Sequence, residues 1–155
     1  MKTAQLTPFL SVSGQLTPHD LGMAAAQGFR SVINNRPDRE GEDQPSASER
    51  AAAAERLGLD YRHIPVVSGK ITDADVEVFA KALQELKAPV LAFCRTGTRS
   101  TTLWALGEAR HLDPEAILSA TAAAGYDLEG LKPRLEARAR ATRRQATPPG
   151  RKTDR

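Results

Sequence analysis

Short apolar runs alternate with amphipathic segments along most of the chain, and this alternation predicts strands separated by helices. The β-rich runs cover residues 6–16, 29–34, 59–66 and 89–93. Helices are predicted where a capping residue precedes apolar positions with helical spacing, as at Thr17, Ser46 and Thr72. Further helices are predicted from residue 98, from Asp113 and over roughly 127–140.

This order of elements predicts the fold class. Strands joined by helices form right-handed βαβ units, which build a mostly parallel sheet covered by helices on both faces. We therefore predict a single α/β domain over residues 1–141, with a mostly parallel sheet flanked by helices. In such sheets ligands bind beyond the carboxyl ends of the strands.

Length and hydropathy indicate the size of the hydrophobic core and the cellular location of this domain. The 155 residues suffice for one hydrophobic core. No apolar run approaches the roughly 18 residues that span a bilayer, and the start MKTAQLTPFL lacks the pattern of a secretory signal. We expect a soluble, cytoplasmic protein without a membrane partner.

Charge is concentrated at the C-terminus. Seven of the 22 Lys and Arg residues but only one of the 19 acids lie from Arg138 onward, so the body carries −3 and the end +6. Residues 142–155 include Pro-Pro-Gly and almost no apolar side chains, which predicts a basic disordered tail. Such a tail could attach to nucleic acid or an acidic partner, but without interleaved aromatics we interpret it as solubilising and expect no nucleic-acid partner.

The stretch FCRTGTRS, residues 93–100, carries the candidate chemistry. Cys94 is the only cysteine and lies where a buried strand should pass into a helix. Backbone N–H groups at a helix start, together with Arg95 and Arg99, favour a thiolate, which is the nucleophilic form. Cys94 and Arg99 are therefore the candidate catalytic residues.

Other residues of this stretch suit an anion. Gly97 permits a positive φ and close approach of an anion to the backbone. Hydroxyl donors are available from Thr96, Thr98 and Ser100. Arg36, in the polar loop after the second β-rich run, is a further candidate cation. With three scattered histidines and one cysteine, we predict no metal site and no cofactor.

Two cysteine-dependent families share such a loop. It resembles the phosphate-binding loop of cysteine-dependent phosphatases, in which five residues separate Cys from Arg and Ser or Thr follows; here four residues separate Cys94 from Arg99, and Ser100 follows. The pattern Cys-Arg-x-Gly-x-Arg-Ser also resembles the active-site loop of rhodanese-type sulfurtransferases, which holds a persulfide.

A wider resemblance covers about residues 6–110. The segments VSGQLTPHDL, INNRPD, YRHIPV and CRTGTRSTTLWAL are similar to the DUF442 family, the phosphatase-like domain of beta-lactamase-hydrolase-like proteins. This resemblance implies a cysteine-phosphatase fold of the dual-specificity type. Some members are fused to persulfide dioxygenases and described as sulfur transferases, which implies a persulfide dioxygenase as a candidate partner.

Besides its shorter loop, the sequence departs from the phosphatase pattern at two further places. The loop after YRHIPV begins Val67-Ser68-Gly69, where a phosphatase carries its general-acid aspartate. Asp38 and Asp73 are the alternative acids. Phe93 precedes the cysteine, where those phosphatases usually have histidine.

These departures favour sulfur transfer as the leading hypothesis. Cys94 would take the outer sulfur of thiosulfate or a small persulfide and pass it to a thiol or cyanide, with Arg95, Arg99 and the loop N–H groups binding the anion. The alternative is a phosphatase that forms a phosphocysteine at Cys94. The second alternative is a non-catalytic anion-binding module.

Overall fold

The computed structural model describes residues 1–42 and 44–146. These residues contain five strands and six α-helices. The strands are β1 (Thr3–Thr7), β2 (Leu10–Ser13), β3 (Ser31–Asn34), β4 (Asp60–His63) and β5 (Val90–Phe93). The helices are α1 (Pro18–Ala26), α2 (Ala47–Arg56), α3 (Asp73–Glu85), α4 (Thr98–Glu108), α5 (Pro114–Ala123) and α6 (Lys132–Ala146).

One mixed sheet joins all five strands in the order β1-β2-β5-β3-β4. Strands β2, β5, β3 and β4 run parallel, while β1 pairs antiparallel with β2 at the edge. This confirms the predicted α/β fold with a mostly parallel sheet. Because parallel strands end at the same edge, the loops that follow β2, β5 and β3 meet there.

Apolar side chains cover both faces of the sheet, as expected for strands packed between helices. In β5, Val90 and Ala92 belong to a cluster that includes side chains of α3 to α6. Leu91 and Phe93 belong to a second cluster, with side chains of α1 and α2. Alternate residues of this central strand therefore anchor both helix layers, which fixes the point at which the cysteine loop leaves the sheet.

A buried arginine ties α2 to the neighbouring loops. The side chain of Arg50 has no exposed surface. Its Nε donates to the Leu16 carbonyl at 2.9 Å and its Nη1 donates to the Pro45 carbonyl at 2.6 Å. The guanidinium carbon lies 5.0 Å from the centroid of the Phe93 ring. These contacts hold the polar segment after β3 close to the strand that leads into Cys94.

The two ends of the chain differ from the predictions. The run 6–16 was predicted as one β-rich segment, but β1 begins at Thr3 and a turn at residues 8–9 makes a hairpin with β2. The predicted tail boundary at 142 is wrong, since α6 continues to Ala146; Ala, Arg and Gln all favour helix. The rest of the predicted tail lies outside the described residues. No helix in the described ranges combines the length and apolarity needed to cross a membrane.

Candidate active site

The cysteine loop joins β5 to α4, as predicted. Cys94 follows Phe93, the last residue of β5, and α4 begins at Thr98. The Cys94 N–H donates to the Ser13 carbonyl at 3.4 Å. The Gly97 N–H donates to the Cys94 sulfur at 3.1 Å. The sulfur thus lies at the N-terminal end of α4, where the helix dipole and the free N–H groups favour negative charge.

A cavity of about 770 Å³ opens over this loop. Its walls include the exposed side chains of Arg95, Thr96 and Thr98. The other lining residues are Glu40, Ser68, Gly69, Ile71, Arg99, Thr102, Leu131 and Arg134. Cys94 itself has no exposed surface. Cys94 is not among the lining residues, so its sulfur does not reach the cavity wall in this structure.

Arg99 is held rigidly beside the sulfur. Its Nη1 and Nη2 donate to the two carboxylate oxygens of Glu40 at 2.8 and 2.7 Å, and Nη1 also donates to the Val66 carbonyl at 3.0 Å. The hydrogen bond to Glu40, and more weakly the charge of Cys94, raise the pKa of Arg99 against the effect of burial. The structure thus brings the two candidate catalytic residues, Cys94 and Arg99, together.

Glu40 is the main site residue that the sequence analysis missed. It lies in the polar loop after β3, and its Oε1 also accepts a hydrogen bond from Arg36 Nε at 2.8 Å. The hydrogen bond from Arg99, together with that from Arg36, lowers the pKa of Glu40 to about 2 against the opposing effect of burial. Glu40 is therefore an ionised carboxylate that positions two arginines. Its place in a loop at the carboxyl edge of the sheet, close to Arg36 in sequence, was the only signal for it.

Arg36 and Ser100, both predicted to bind the anion, do not line the cavity. Arg36 is buried, and its Nη1 donates to Gln15 Oε1 at 2.7 Å. Ser100 is buried, and its hydroxyl donates to Asn35 Oδ1 at 2.8 Å. Their contacts support the loops around the cavity, and direct contact of either residue with an anion stays a prediction.

The two aspartates considered as general acids have other partners. Asp38 Oδ1 accepts from the backbone N–H of Ala47 at 2.7 Å, at the start of α2. Asp73 Oδ1 lies 3.1 Å from the guanidinium groups of both Arg134 and Arg138. The hydrogen bond from Arg134 is the main cause that lowers the pKa of Asp73. Neither aspartate lines the cavity over Cys94.

Gly97 fits a space that no side chain could share. Its φ is +94°, in the left-handed region. A Cβ at this position would overlap the hydroxyl of Tyr126, which donates to the Thr96 carbonyl at 3.1 Å. The tyrosine, from the segment after α5, therefore packs against the loop at Gly97. This contact explains why the loop needs glycine here.

Gly97→Ala is expected to lower the free energy of unfolding by about 1–3 kcal/mol through backbone strain, plus the cost of displacing Tyr126. Gly28→Ala is a matched control, because Gly28 has φ +97° but no atom within 4 Å of the added Cβ. Urea unfolding of both variants should show the larger loss for Gly97→Ala. Equal losses would show that the Tyr126 contact does not matter.

Glu40→Gln is expected to lower the free energy of unfolding at neutral pH by about 1.5–3 kcal/mol, because two arginines lose a charged acceptor. The pKa of Glu40 is depressed from 4.5 to about 2. Its stabilising contribution is therefore complete above about pH 5 and disappears as the pH falls toward 2. Urea unfolding across this range should show the gap between wild type and variant shrinking with falling pH.

Glu85→Gln provides the control for this prediction. Glu85 pairs with Arg62 at 2.7 Å, and both side chains are more than a third exposed. An exposed pair of this kind contributes little, so we expect Glu85→Gln to leave the free energy of unfolding close to that of the wild type. A comparable loss in Glu40→Gln and Glu85→Gln would contradict the positioning role of Glu40.

Comparison with known sequences identifies relatives of this chain. Residues 3–111 match the family described as "Beta-lactamase hydrolase-like protein, phosphatase-like domain". The beta-lactamase hydrolase-like protein of Agrobacterium fabrum is 42% identical over 109 residues, which are 70% of this chain and 25% of that protein. The chain thus matches about a quarter of the length of such relatives.

Solved structures support the same assignment. A candidate phosphatase of Neisseria meningitidis is 36% identical, with a TM-score of 0.79 over 87% of this chain and 96% of the other. A candidate phosphatase of the DUF442 family from Shewanella putrefaciens is 22% identical, with a TM-score of 0.66 over 90% of this chain and 87% of the other, and it shows the shared fold. The chain belongs to the family of phosphatase-like domains found in beta-lactamase hydrolase-like proteins, as the resemblance predicted.

Proposed function

We propose that the domain is a cysteine-dependent phosphatase, the function that the sequence analysis placed second. The observation that carries this proposal is the Arg99 guanidinium, which lines the cavity and is fixed by Glu40 beside the buried Cys94 sulfur. A guanidinium in this position matches the oxygens of a phosphoryl group. The similarity to a candidate phosphatase at 36% identity supports the same class of reaction.

The proposed reaction has two displacements at phosphorus. The Cys94 thiolate attacks, the S–P bond forms, and the bond from phosphorus to the leaving-group oxygen breaks. Water then attacks the phosphocysteine, and the S–P bond breaks to return the thiolate. One proton of this water stays on the phosphate, and the other passes to the leaving group or to solvent. The net result is hydrolysis of the phosphate ester or anhydride.

The surrounding groups suit the charge that develops in both steps. The N–H groups of residues 95–99 lie around the start of α4, and Arg99 adds a permanent charge that Glu40 and Val66 keep in one orientation. Preorganised donors of this kind stabilise a transition state without the cost of reorienting solvent. The exposed hydroxyls of Thr96 and Thr98 are further donors at the cavity wall.

Sulfur transfer through a Cys94 persulfide is the second candidate. The observation in its favour is the loop itself, since four residues separate Cys94 from Arg99 and the phosphatase pattern has five. A shorter loop fits one sulfane sulfur more closely than a phosphoryl group. A persulfide route also needs no acid to expel an alkoxide.

A paired assay separates these candidates. The first arm measures phosphate release from para-nitrophenyl phosphate, and the second measures thiocyanate formation from thiosulfate and cyanide. The phosphatase proposal expects phosphate release that Cys94→Ser abolishes, with negligible thiocyanate in either protein. Thiocyanate formation that depends on Cys94, without phosphate release, would replace the proposal with the second candidate.

A further inference from the structure

The described residues that line the cavity over Cys94 include no free acid that could protonate a leaving oxygen. Among the described residues that line it, Glu40 is the only one with a carboxyl group. Both oxygens of Glu40 accept hydrogen bonds from Arg99, and Oε1 accepts another from Arg36. A carboxylate held in this way stays ionised in the neutral range, consistent with its pKa of about 2. Glu40 therefore has no proton to give.

Two other titratable side chains near the loop, those of His63 and Tyr126, already have hydrogen-bond partners. His63 Nε2 lies 2.8 Å from the Arg36 carbonyl oxygen, and the Tyr126 hydroxyl donates to the Thr96 carbonyl. Burial raises the pKa of Tyr126. The side chains of His63, Tyr126 and Arg36 do not line the cavity. Asp38 and Asp73 are bonded elsewhere. With no free acid among the described residues around this cavity, we expect a leaving group to depart as an anion.

This requirement selects substrates by the basicity of the leaving group. A tyrosine phenolate has a conjugate acid with a pKa of about 10, and serine or threonine alkoxides are more basic still. A phosphate oxygen has a pKa of about 6, so at neutral pH it departs without added protons. General acids contribute about 10²–10⁴-fold to rate, which is the disadvantage that alkyl and simple aryl esters would carry here.

The cavity also carries positive charge besides that of Arg99. Arg95 is exposed, lines the cavity and belongs to none of the ion pairs formed among the described residues. Arg134 lines the same cavity from α6. The volume of about 770 Å³ leaves room for more than one phosphoryl group. A second anionic group therefore has both space and a cation beside the first.

We propose that the substrate of this site is a phosphoanhydride, with the terminal phosphoryl group at Cys94 and Arg99 and the departing phosphate at Arg95. The inference rests on the proposed phosphatase function and specifies its substrate. Cys94 takes the terminal phosphoryl group, the bridging P–O bond breaks, and the electron pair leaves on the second phosphate. Water then hydrolyses the phosphocysteine as in the proposed reaction.

Three phosphoryl donors test the two parts of this inference separately. Para-nitrophenyl phosphate has a weakly basic leaving group without a second phosphate, phenyl phosphate has a strongly basic one, and inorganic pyrophosphate has a weakly basic one that is itself a phosphate. Without a general acid, phenyl phosphate should react at least about 100-fold more slowly than para-nitrophenyl phosphate. If the two aryl esters react within about tenfold of each other, an acid is present and the inference is overturned, while the phosphatase function stands.

Arg95→Gln tests the proposed binding site for the departing phosphate. Arg140→Gln, at an exposed position on α6, is the control. Arg95→Gln should lower kcat/KM for pyrophosphate about tenfold more than for para-nitrophenyl phosphate, because only pyrophosphate carries the second charge. Arg140→Gln should change neither. Equal effects of Arg95→Gln on both donors would overturn the assignment to Arg95. If no donor yields phosphate in a Cys94-dependent reaction, the proposed function itself fails.

Discussion

Cys94→Ser is expected to reduce turnover of para-nitrophenyl phosphate by at least about 10⁴-fold, because a serine hydroxyl at neutral pH is a far weaker nucleophile than a thiolate. The substitution is nearly isosteric at a position with no exposed surface, and the hydroxyl can still accept the Gly97 N–H. The fold should therefore persist. The measurement is kcat for both proteins under identical conditions.

Thermal unfolding and phosphate binding are the controls for Cys94→Ser. We expect Tm to stay within a few degrees of wild type and the Kd for inorganic phosphate to change by less than about tenfold, since Arg99 and the loop N–H groups remain. A variant that keeps its fold and retains more than about 1% of wild-type turnover would show that Cys94 is not the nucleophile.

Arg99→Lys is expected to lower kcat by about 10²–10³-fold, the usual cost of removing one preorganised donor at a developing charge. A lysine ammonium cannot make two parallel bonds to Glu40 together with the bond to the Val66 carbonyl. The charge would be kept, but its position beside the sulfur would be lost. Steady-state kinetics with para-nitrophenyl phosphate measure this loss.

Arg62→Lys is the matched control for Arg99→Lys. Arg62 also pairs with a glutamate, Glu85, at 2.7 Å, but its side chain is 37% exposed at the sheet edge. We expect Arg62→Lys to leave kcat and Tm close to wild type. If Arg99→Lys retains wild-type kcat as well, the guanidinium geometry has no part in catalysis.

The elements that the sequence predicted best are those whose signals are local. Thr17 and Thr72 both form the reciprocal capping box that their neighbours indicated, with Asp20 and Asp75 three residues later. Asp75 is thereby held at the start of α3. The alternation of apolar runs and capped helices was sufficient for the α/β class, because each signal depends on only a few adjacent residues.

The site was predictable only where it is contiguous. Cys94, Arg95, Gly97 and Arg99 lie within six consecutive residues, so their grouping could be predicted from the sequence alone. Glu40 was not predictable, because it lies 59 residues from Arg99 in the chain and meets it only through the order of the strands. The same holds for the Val66 carbonyl and for Tyr126, whose roles arise from tertiary packing.

Arg36 shows how this limit affects an individual prediction. Its position after β3 correctly placed it at the carboxyl edge of the sheet, near the cysteine loop. Its Nε donates a hydrogen bond to Glu40 and its Nη1 donates one to Gln15. The Arg36 side chain is therefore bonded to neighbouring loops and does not line the cavity. A sequence pattern gives the edge at which a residue lies, but the partner of a long polar side chain depends on loops from elsewhere.

The mass of the intact chain during turnover tests the central claim most directly. Wild-type protein and Cys94→Ser are mixed with para-nitrophenyl phosphate or with thiosulfate, denatured rapidly and weighed by mass spectrometry. Because Cys94 is the only cysteine, an adduct on a thiol has one location. We predict a gain of one phosphoryl group in the wild type alone, and no adduct from thiosulfate. A gain of one sulfur atom from thiosulfate, with no phosphoryl adduct, would contradict the phosphatase assignment.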